Sequence, residues 1–411
     1  MHQLAGWDLA AWRMAKTDPA LRSTVVGVVE LSGQVQTEVI LERIHRVVAR
    51  HSALRSIIVD DDTGSYIREI SELDVKNHIS APPTVIDVSR ALSEFAAQDF
   101  DARFPLWRTL ILHTGLHTYI ATAFHHAIAD GQAAMVMLSQ LLDEPPVLPD
   151  VTQPQSSSQS QQPKSFQESA MPVLQRLLKD PLGLSGDLTR LVQSLNSVLQ
   201  VPAMNLVPRR SGDFHFAAWE FDRDKTALSV HDAIVAVAVD GWHSKTGNNT
   251  LIANVPVAGF DVGGINKFMI ARLRLHARPN RPTDVINESR TALREWRSEP
   301  AAQLLPMLLN ASQFIPANLL GNAMKQGDIT VSTVRGGVSS GSIGGVNVTR
   351  VIPMVSPIGV GINVTSAILG NRVLIGVTAD KAVFESRAEL ISVFDVAFSR
   401  IFGFSPSLVR L

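Results

Sequence analysis

An α/β fold built in two units is predicted by three observations. The chain has 411 residues, more than one simple core commonly serves. Uncharged or alternating strand-like segments take turns with segments of helical spacing on either side of its middle. Between them, Glu144–Gln167 changes character, with Pro145-Pro146 and then Ser156-Ser157-Ser158-Gln159-Ser160-Gln161-Gln162. Such a run buries too little apolar surface to offset its ordering entropy, so it reads as an exposed spacer. The expected units are residues 1–143 and 171–411, with 144–170 between them.

Composition narrows the function classes. Apolar residues make up 45% and charged residues 18%, which suits large buried cores rather than a disordered chain. The formal net charge of −1 gives no bulk basic surface for nucleic acid. There is no cysteine, so disulfides and thiol nucleophiles are excluded. The first residues lack a basic-then-apolar signal pattern, and no run of 18 uncharged apolar residues occurs. A cytoplasmic protein, soluble or peripheral to a membrane, is expected.

In the first unit a strand is expected over Thr24–Leu31. A helix follows from about Thr37, a good cap residue, with Ile40, Ile44, Val47 and Val48 on one stripe. Arg50-His51-Ser52-Ala53-Leu54-Arg55 then leads into a strand at Ser56–Val59. Basic side chains at a helix end suit its dipole, and that accounts for His51. Tyr119–Phe124 reads as a buried strand, β-branched and aromatic. Side chains alternate along a strand, so His125 and His126 should face opposite ways. Asp130-Gly131 breaks the strand, and Met135, Leu138, Leu141 and Leu142 mark the next helix. Imidazole is the side chain best placed to move a proton near neutral pH.

The second unit opens with helical sequence over Met171–Leu199 and a strand at Phe214–Phe221. Ser229 and Asp232 have capping-box-like spacing ahead of a helix at Ala233–Trp242. Another strand is expected at Phe268–Leu275. Leu304–Leu320 is largely apolar and uncharged, broken by Pro306 and Pro316. Gly359–Ile368 and Val373–Ala379 read as strands joined by a two-residue hairpin at Gly370-Asn371. Ser386-Arg387-Ala388-Glu389 is a second capping box, starting the last helix. No internal repeat is visible.

His125, His126, Asp130 and Gly131 complete a His-His-x-x-x-Asp-Gly motif, and Pro105-Leu106-Trp107-Arg108 precedes it. On these residues the chain resembles the wax ester synthase/diacylglycerol acyltransferase branch of the CoA-dependent acyltransferases. That superfamily also holds chloramphenicol acetyltransferase-like enzymes and peptide-synthetase condensation domains. Gly6-Trp7-Asp8-Leu9 resembles the branch's opening, where an Asp lies just before an apolar helix. The Arg50–Arg55 phrase and Gly264-Ile265-Asn266 are similar to further family segments. Two positions depart from the pattern. His231 stands where the branch has Asn in Thr-x-Asn-Asp, although Asp232 matches. Val331–Gly337 keeps only Ser332, Val334 and one glycine of Ser-Asn-Val-Pro-Gly-Pro. The likeness is strongest over 1–142, fair over 214–275 and 350–402, and slight elsewhere.

The resemblance implies two chloramphenicol-acetyltransferase-like subdomains, a condensation-domain-like pseudo-dimer, with a tunnel at their interface and His126 at mid-tunnel. It implies O-acylation, from a long-chain acyl-CoA to an alcohol or diacylglycerol, with His126 as general base. His125 would support the core, Asp130 would bridge to an arginine, and Gly131 would supply backbone room. Backbone amides near Gly131, or Ser332 or Asn363, are candidates to hold the oxyanion. His231, Asp232 and Asn266 are candidates to line the channel. No metal or redox cofactor is implied, acyl-CoA being a substrate. The family's lipid habit implies contact with a membrane or lipid-droplet surface, for which Leu304–Leu320 is the candidate, with buried core as the simpler reading of that segment.

Other readings are an acyltransferase with a sugar, polyketide or amine acceptor or a carrier-bound donor, and a non-catalytic binding paralogue. Gly337-Val338-Ser339-Ser340-Gly341 fits a nucleophile elbow, but that motif needs a helix after it, and Ile343–Val348 is strand-like. His125, His126 and Asp130 as metal ligands are opposed by strand parity, which separates the two rings.

Overall fold

A computed structural model describes residues 2–62, 64–82, 87–146, 208–258, 265–266, 268–279, 281–299, 302, 305, 309, 311–335 and 340–411. The spacer beyond Pro146, the helical reading of Met171–Leu199, Gly264 and residues 336–339 lie outside them. The first stretch forms β1 (His2–Gln3), α1 (Gly6–Ala15), β2 (Thr24–Leu31), α2 (Thr37–Arg50), β3 (Ser56–Asp61) and β4 (Gly64–Glu69). It continues with β5 (Ile79–Ser80), α3 (Val88–Ala96), β6 (Trp107–His113), β7 (Thr118–His125) and α4 (Gly131–Ser139). The second stretch forms β8 (Phe214–Asp222), α5 (Val230–Thr246), β9 (Thr250–Ala258), β10 (Phe268–His276), α6 (Pro282–Ser298) and α7 (Ala317–Lys325). Then come β11 (Ile329–Arg335), β12 (Ser342–Ile343), β13 (Val346–Val355), β14 (Ile362–Leu369), β15 (Arg372–Asp380), α8 (Arg387–Phe402) and β16 (Ser407–Leu408).

These strands make two large sheets and a three-stranded one, β1-β4-β3, a mixed α/β architecture in two subdomains. One large sheet runs β12-β13-β2-β7-β6-β5 and the other β10-β9-β11-β14-β15-β8-β16. Helices cover the sheets with their apolar faces. α2 buries Ile40, Ile44, Val47 and Val48, the stripe read from its spacing. α5 buries a continuous run from Ala233 to Trp242, as a helix that is apolar on most sides must.

Sheet membership does not follow chain order. β13 comes late, inside the expected 171–411 unit, yet it pairs antiparallel with β2 from Val348↔Leu31 to Val355↔Val25. It also lies directly on β15 of the other sheet. A Cβ on Gly376 would stand 1.9 Å from the Pro353 carbonyl oxygen, so only glycine admits this approach. An ionic chain ties the same crossing. Glu30 on β2 is buried and meets Arg350 on β13 at 2.7 Å; Arg350 meets Glu220 on β8 at 2.6 Å, and Glu220 also pairs with Arg372 on β15.

Capping differs in detail from the expectation. Gln36, not Thr37, precedes the first helical residue of α2, and the Thr37 hydroxyl lies 3.3 Å from His113 Nε2. Ser229 caps α5 without a side-chain bond, and the Asp232 carboxylate is turned to Arg290 at 2.6 Å. Ser386 does cap α8, its hydroxyl accepting from the Glu389 N–H at 3.1 Å. The Gly370-Asn371 turn joins β14 to β15 as read, with Leu369 paired to Arg372.

Removing the Arg350 guanidinium would leave the buried Glu30 carboxylate to the Tyr119 hydroxyl, at 3.2 Å, and to His117. Arg350→Met is therefore expected to lower unfolding free energy by up to about 3–5 kcal/mol, the range for breaking a buried pair. Lys225→Met, in the exposed Lys225–Asp222 pair, should leave the urea midpoint nearly unchanged. Equal midpoints for the two variants would contradict this account of the crossing.

Candidate functional site

The site is built where β7 ends. Thr24 on β2 pairs with His125, and the ladder is extended one step further by the His126 N–H, which donates to Ser23 O at 2.7 Å. Parity then turns the two rings to opposite sides, as the sequence required. His125 sits edge-on to Trp12 and Phe100, at 5.7 and 5.8 Å between centroids. Its Nδ1 accepts from the Ala127 N–H at 3.0 Å. Burial, with His126, Arg108 and Lys16 nearby, pushes it down to about 3, so it stays neutral.

His126 faces the second subdomain. Its Nδ1 lies 3.0 Å from Asn266 Oδ1, and the Asn266 amide nitrogen donates to the His126 carbonyl oxygen at 2.6 Å. Trp7 and Phe268 stand against the ring, at 6.5 and 5.5 Å between centroids. Burial holds His126 below the ordinary histidine range, against the opposite pull of the Asp130 charge and of its hydrogen bonds. Asn266 is held in turn by Asp8, which lies within the first turn of α1 rather than before the helix. The Asp8 carboxylate accepts from the Ile265 N–H at 2.6 Å, from the Asn266 N–H at 3.2 Å and from the Asn266 side-chain amide. Burial pushes Asp8 up to about 7, with those donors opposing.

The rest of the motif is scaffold. Asp130 caps α4, accepting from the Ala133 N–H at 2.7 Å, and no arginine among the described residues pairs with it, contrary to the expectation. A helix N-terminus supplies the donors, so a carboxylate there needs no guanidinium. Gly131 has an ordinary backbone conformation; the reason for glycine is space, since a Cβ would meet Val334 Cγ2 at 2.9 Å. Leu106 and Trp107 are buried beside β7. The Leu106 carbonyl accepts from the His125 N–H at 2.9 Å, and Trp107 Nε1 donates to Leu54 O at 2.8 Å. Pro105 is buried ahead of them. Arg108 turns to the C-terminal carbonyls of α3, donating to Phe95 O and Gln98 O at 2.8 and 2.9 Å. His51, as the sequence suggested, closes α2.

The candidates from the second half fall on two faces of β11. Val334 touches the motif at Gly131, and by parity Ser332 shares its face. There the Ser332 hydroxyl donates to Thr365 Oγ1 at 3.1 Å, and Thr365 to Asn363 Oδ1 at 2.8 Å. His231 instead bonds Thr333 Oγ1 at 3.1 Å, on the opposite face, and Asp232 is engaged by Arg290. Of the five candidates only Asn266 touches His126, and it does so at Nδ1. Asp8, Trp7 and Phe268 were not read as site residues. A lone carboxylate in an apolar helix was the signal available for Asp8.

The expected tunnel is not visible among the described residues; His126 as a whole residue is 8% exposed. Cavities of about 360 and 340 Å³ open elsewhere, on the α1 side, the second ending at His125. After Gly341 the chain enters β12 rather than a helix, which removes the context of a nucleophile elbow.

Comparison with known proteins places these features. The family model "Wax ester synthase/diacylglycerol acyltransferase catalytic domain" matches residues 4–219, and "WS/DGAT C-terminal domain" matches 265–402. The fold is similar to a wax ester synthase/diacylglycerol acyltransferase from Marinobacter aquaeolei VT8, with TM-score 0.64 and 16% identity over 98% of this chain and 100% of that one. It is also similar to the first condensation domain of the calcium-dependent antibiotic synthetase in complex with a substrate analogue, with TM-score 0.62 and 15% identity over 99% and 97%. A starter condensation domain of rhizomide synthetase, in complex with C8-CoA and Leu-SNAC, gives TM-score 0.59 and 14% identity over 99% and 95%. Among curated proteins none matches.

Gly131→Ala is expected to cost about 1–3 kcal/mol through overpacking against Val334. Pairing it with Val334→Ala should recover part of that loss in urea unfolding. A double variant no more stable than Gly131→Ala would remove the spatial explanation.

Proposed function

Because the chain belongs to the wax ester synthase/diacylglycerol acyltransferase family and is an acyltransferase, we propose that it transfers a long-chain acyl group from CoA to an alcohol or diacylglycerol hydroxyl, with His126 as general base. The observation that carries this is the His126 ring, buried at the end of β7 and turned toward the second subdomain. The acceptor oxygen attacks the thioester carbonyl carbon while its proton passes to His126. The tetrahedral oxyanion collapses, the C–S bond breaks, and the CoA sulfur leaves with the proton returned from His126. Base catalysis of this kind contributes about 10²–10⁴-fold, and alignment of both substrates up to roughly 7–11 kcal/mol. Both substrates would approach along the interface between the sheets, past Trp7 and Phe268.

For the oxyanion, the backbone N–H groups that open α4 at Gly131 are the best-placed donors. Helix N-termini carry unpaired N–H groups. The Ser332 hydroxyl is already given to Thr365, and the Asn363 amide points at Ser356 O at 3.4 Å.

A second reading, transfer to an amine or from a carrier-bound donor, is favoured by the altered Val331–Gly337 segment and by the likeness to condensation domains. His231, the other departure, lies on the far face of β11 and adds little to it.

Contact with a lipid surface is the remaining proposal. No helix of the described residues is long and apolar enough to cross a membrane. Within Leu304–Leu320, Leu305 is buried and several neighbours lie outside the described residues, but Phe314 is 81% and Leu319 47% exposed. Two bare apolar side chains five residues apart, on either side of Pro316, suit adsorption to a lipid interface.

Incubation with palmitoyl-CoA and a panel of alcohols, diacylglycerol and amines, with CoA release measured, tests the reaction. His126→Ala should lower turnover on the order of 10²-fold or more. Since burial lowers His126, the acid limb of kcat/KM should fall below its ordinary value of 6.5. Unchanged turnover in the variant would reject the mechanism, and release with amines alone would select the second reading. In liposome flotation, Phe314→Ser with Leu319→Ser should weaken binding; no flotation of the unaltered protein would end the membrane proposal.

A further inference from the structure

We propose that Asn266, held by Asp8, fixes the His126 ring as its Nδ1–H tautomer and so leaves the electron pair on Nε2, making Asn266 a positioning residue for the base. The inference deepens the reading above and rests on His126 being that base.

The argument starts from the His126 carbonyl oxygen, which accepts under all conditions. One terminal atom of the Asn266 amide lies 2.6 Å from it, so that atom must be the NH2 nitrogen. The same nitrogen reaches Asp8 Oδ1, and the Asp8 oxygens are already acceptors for the Ile265 and Asn266 backbone N–H groups. With the NH2 committed on both sides, the amide can only turn its oxygen to the ring, 3.0 Å from Nδ1. An amide oxygen cannot donate, so the proton in that bond belongs to Nδ1. Burial of the ring opposes the doubly protonated form. Nε2 is then the unprotonated nitrogen.

Three elements supply the charged and titratable groups around it: Asp8 on α1, Asp130 at the start of α4, and His125 on β7. Asp130 favours an imidazolium but makes no hydrogen bond to the ring, so it cannot choose between the neutral tautomers. His125 faces away and is neutral. The choice falls to Asn266, and the residue's own carbonyl oxygen, also an acceptor, favours a proton on the same side of the ring. Asp8 acts one step further back, by holding the amide rather than the ring. The two residues lie 258 positions apart, one in each subdomain, so the tautomer is set only when both subdomains are assembled.

The test uses ¹⁵N-histidine-labelled full-length protein and long-range ¹H–¹⁵N correlation, with His126 assigned by its loss in His126→Ala. The unaltered protein should show a protonated Nδ1 and a bare Nε2. Asn266→Leu should lose that preference, with kcat reduced on the order of 10²-fold and KM for acyl-CoA within about twofold, as expected when ground-state binding is untouched. An Nε2–H ring in the unaltered protein overturns the proposal, and that spectrum decides even if a variant fails to fold. So does Asn266→Leu with unchanged tautomer and kcat. If the tautomer shifts as expected while His126→Ala turns over normally, the positioning stands and the general-base reading falls.

Discussion

The pairing of Val346–Val355 with Thr24–Leu31 is the constraint on which the other features depend. It inserts a late strand into an early sheet and puts β2 between two antiparallel neighbours. β2 then serves as a template on both sides. On one it carries Glu30 to Arg350, and through Arg350 to the second sheet. On the other it sets the register of β7, whose end presents the histidines. A one-residue slip of β7 against β2 would exchange the faces of His125 and His126. The close contact of Pro353 with Gly376 keeps the sheets at one spacing, and Val334 against Gly131 repeats that fit beside the motif.

The two histidines show how environment separates identical side chains. Both are buried, and burial disfavours charge on each. His125 accepts a hydrogen bond at Nδ1 from its own turn and packs between Trp12 and Phe100, its ring kept neutral by burial. His126 meets an amide from another subdomain and faces aromatic rings that belong to α1 and β10. The first is a part of the core. The second is a junction, where three distant segments of chain must agree before the ring is correctly set.

Much of the fold is legible in the sequence because its cues are local. β2 and the Gly370-Asn371 hairpin stand where alternation and turn chemistry put them, and α2 begins at Thr37 and buries the stripe its spacing defines. The motif histidines, their parity and the Asp130-Gly131 corner were equally visible. Other features could not be read this way. β13 looks like an ordinary strand of the second half, and only the register with β2 reveals its destination. The capping box at Ser229 lost its carboxylate to Arg290, fifty-eight residues beyond Asp232. Asp130 lost its expected arginine to a helix end. Asn266 was visible as a residue but not as the partner of Nδ1, since that contact joins positions 140 apart.

The displaced strand also bears on how the protein is made. Synthesis delivers residues 24–139 long before 346–355, so β2 emerges with one neighbour available and its other edge bare. Until some three hundred further residues have left the ribosome, Glu30 has no Arg350 and that edge has no cover. Exposed edges of this sort recruit other chains, and pairing across so long a stretch is slow to form. The nascent first half is therefore the vulnerable species, one for a chaperone to shield, and it becomes self-sufficient only when the last third of the polypeptide arrives to close it.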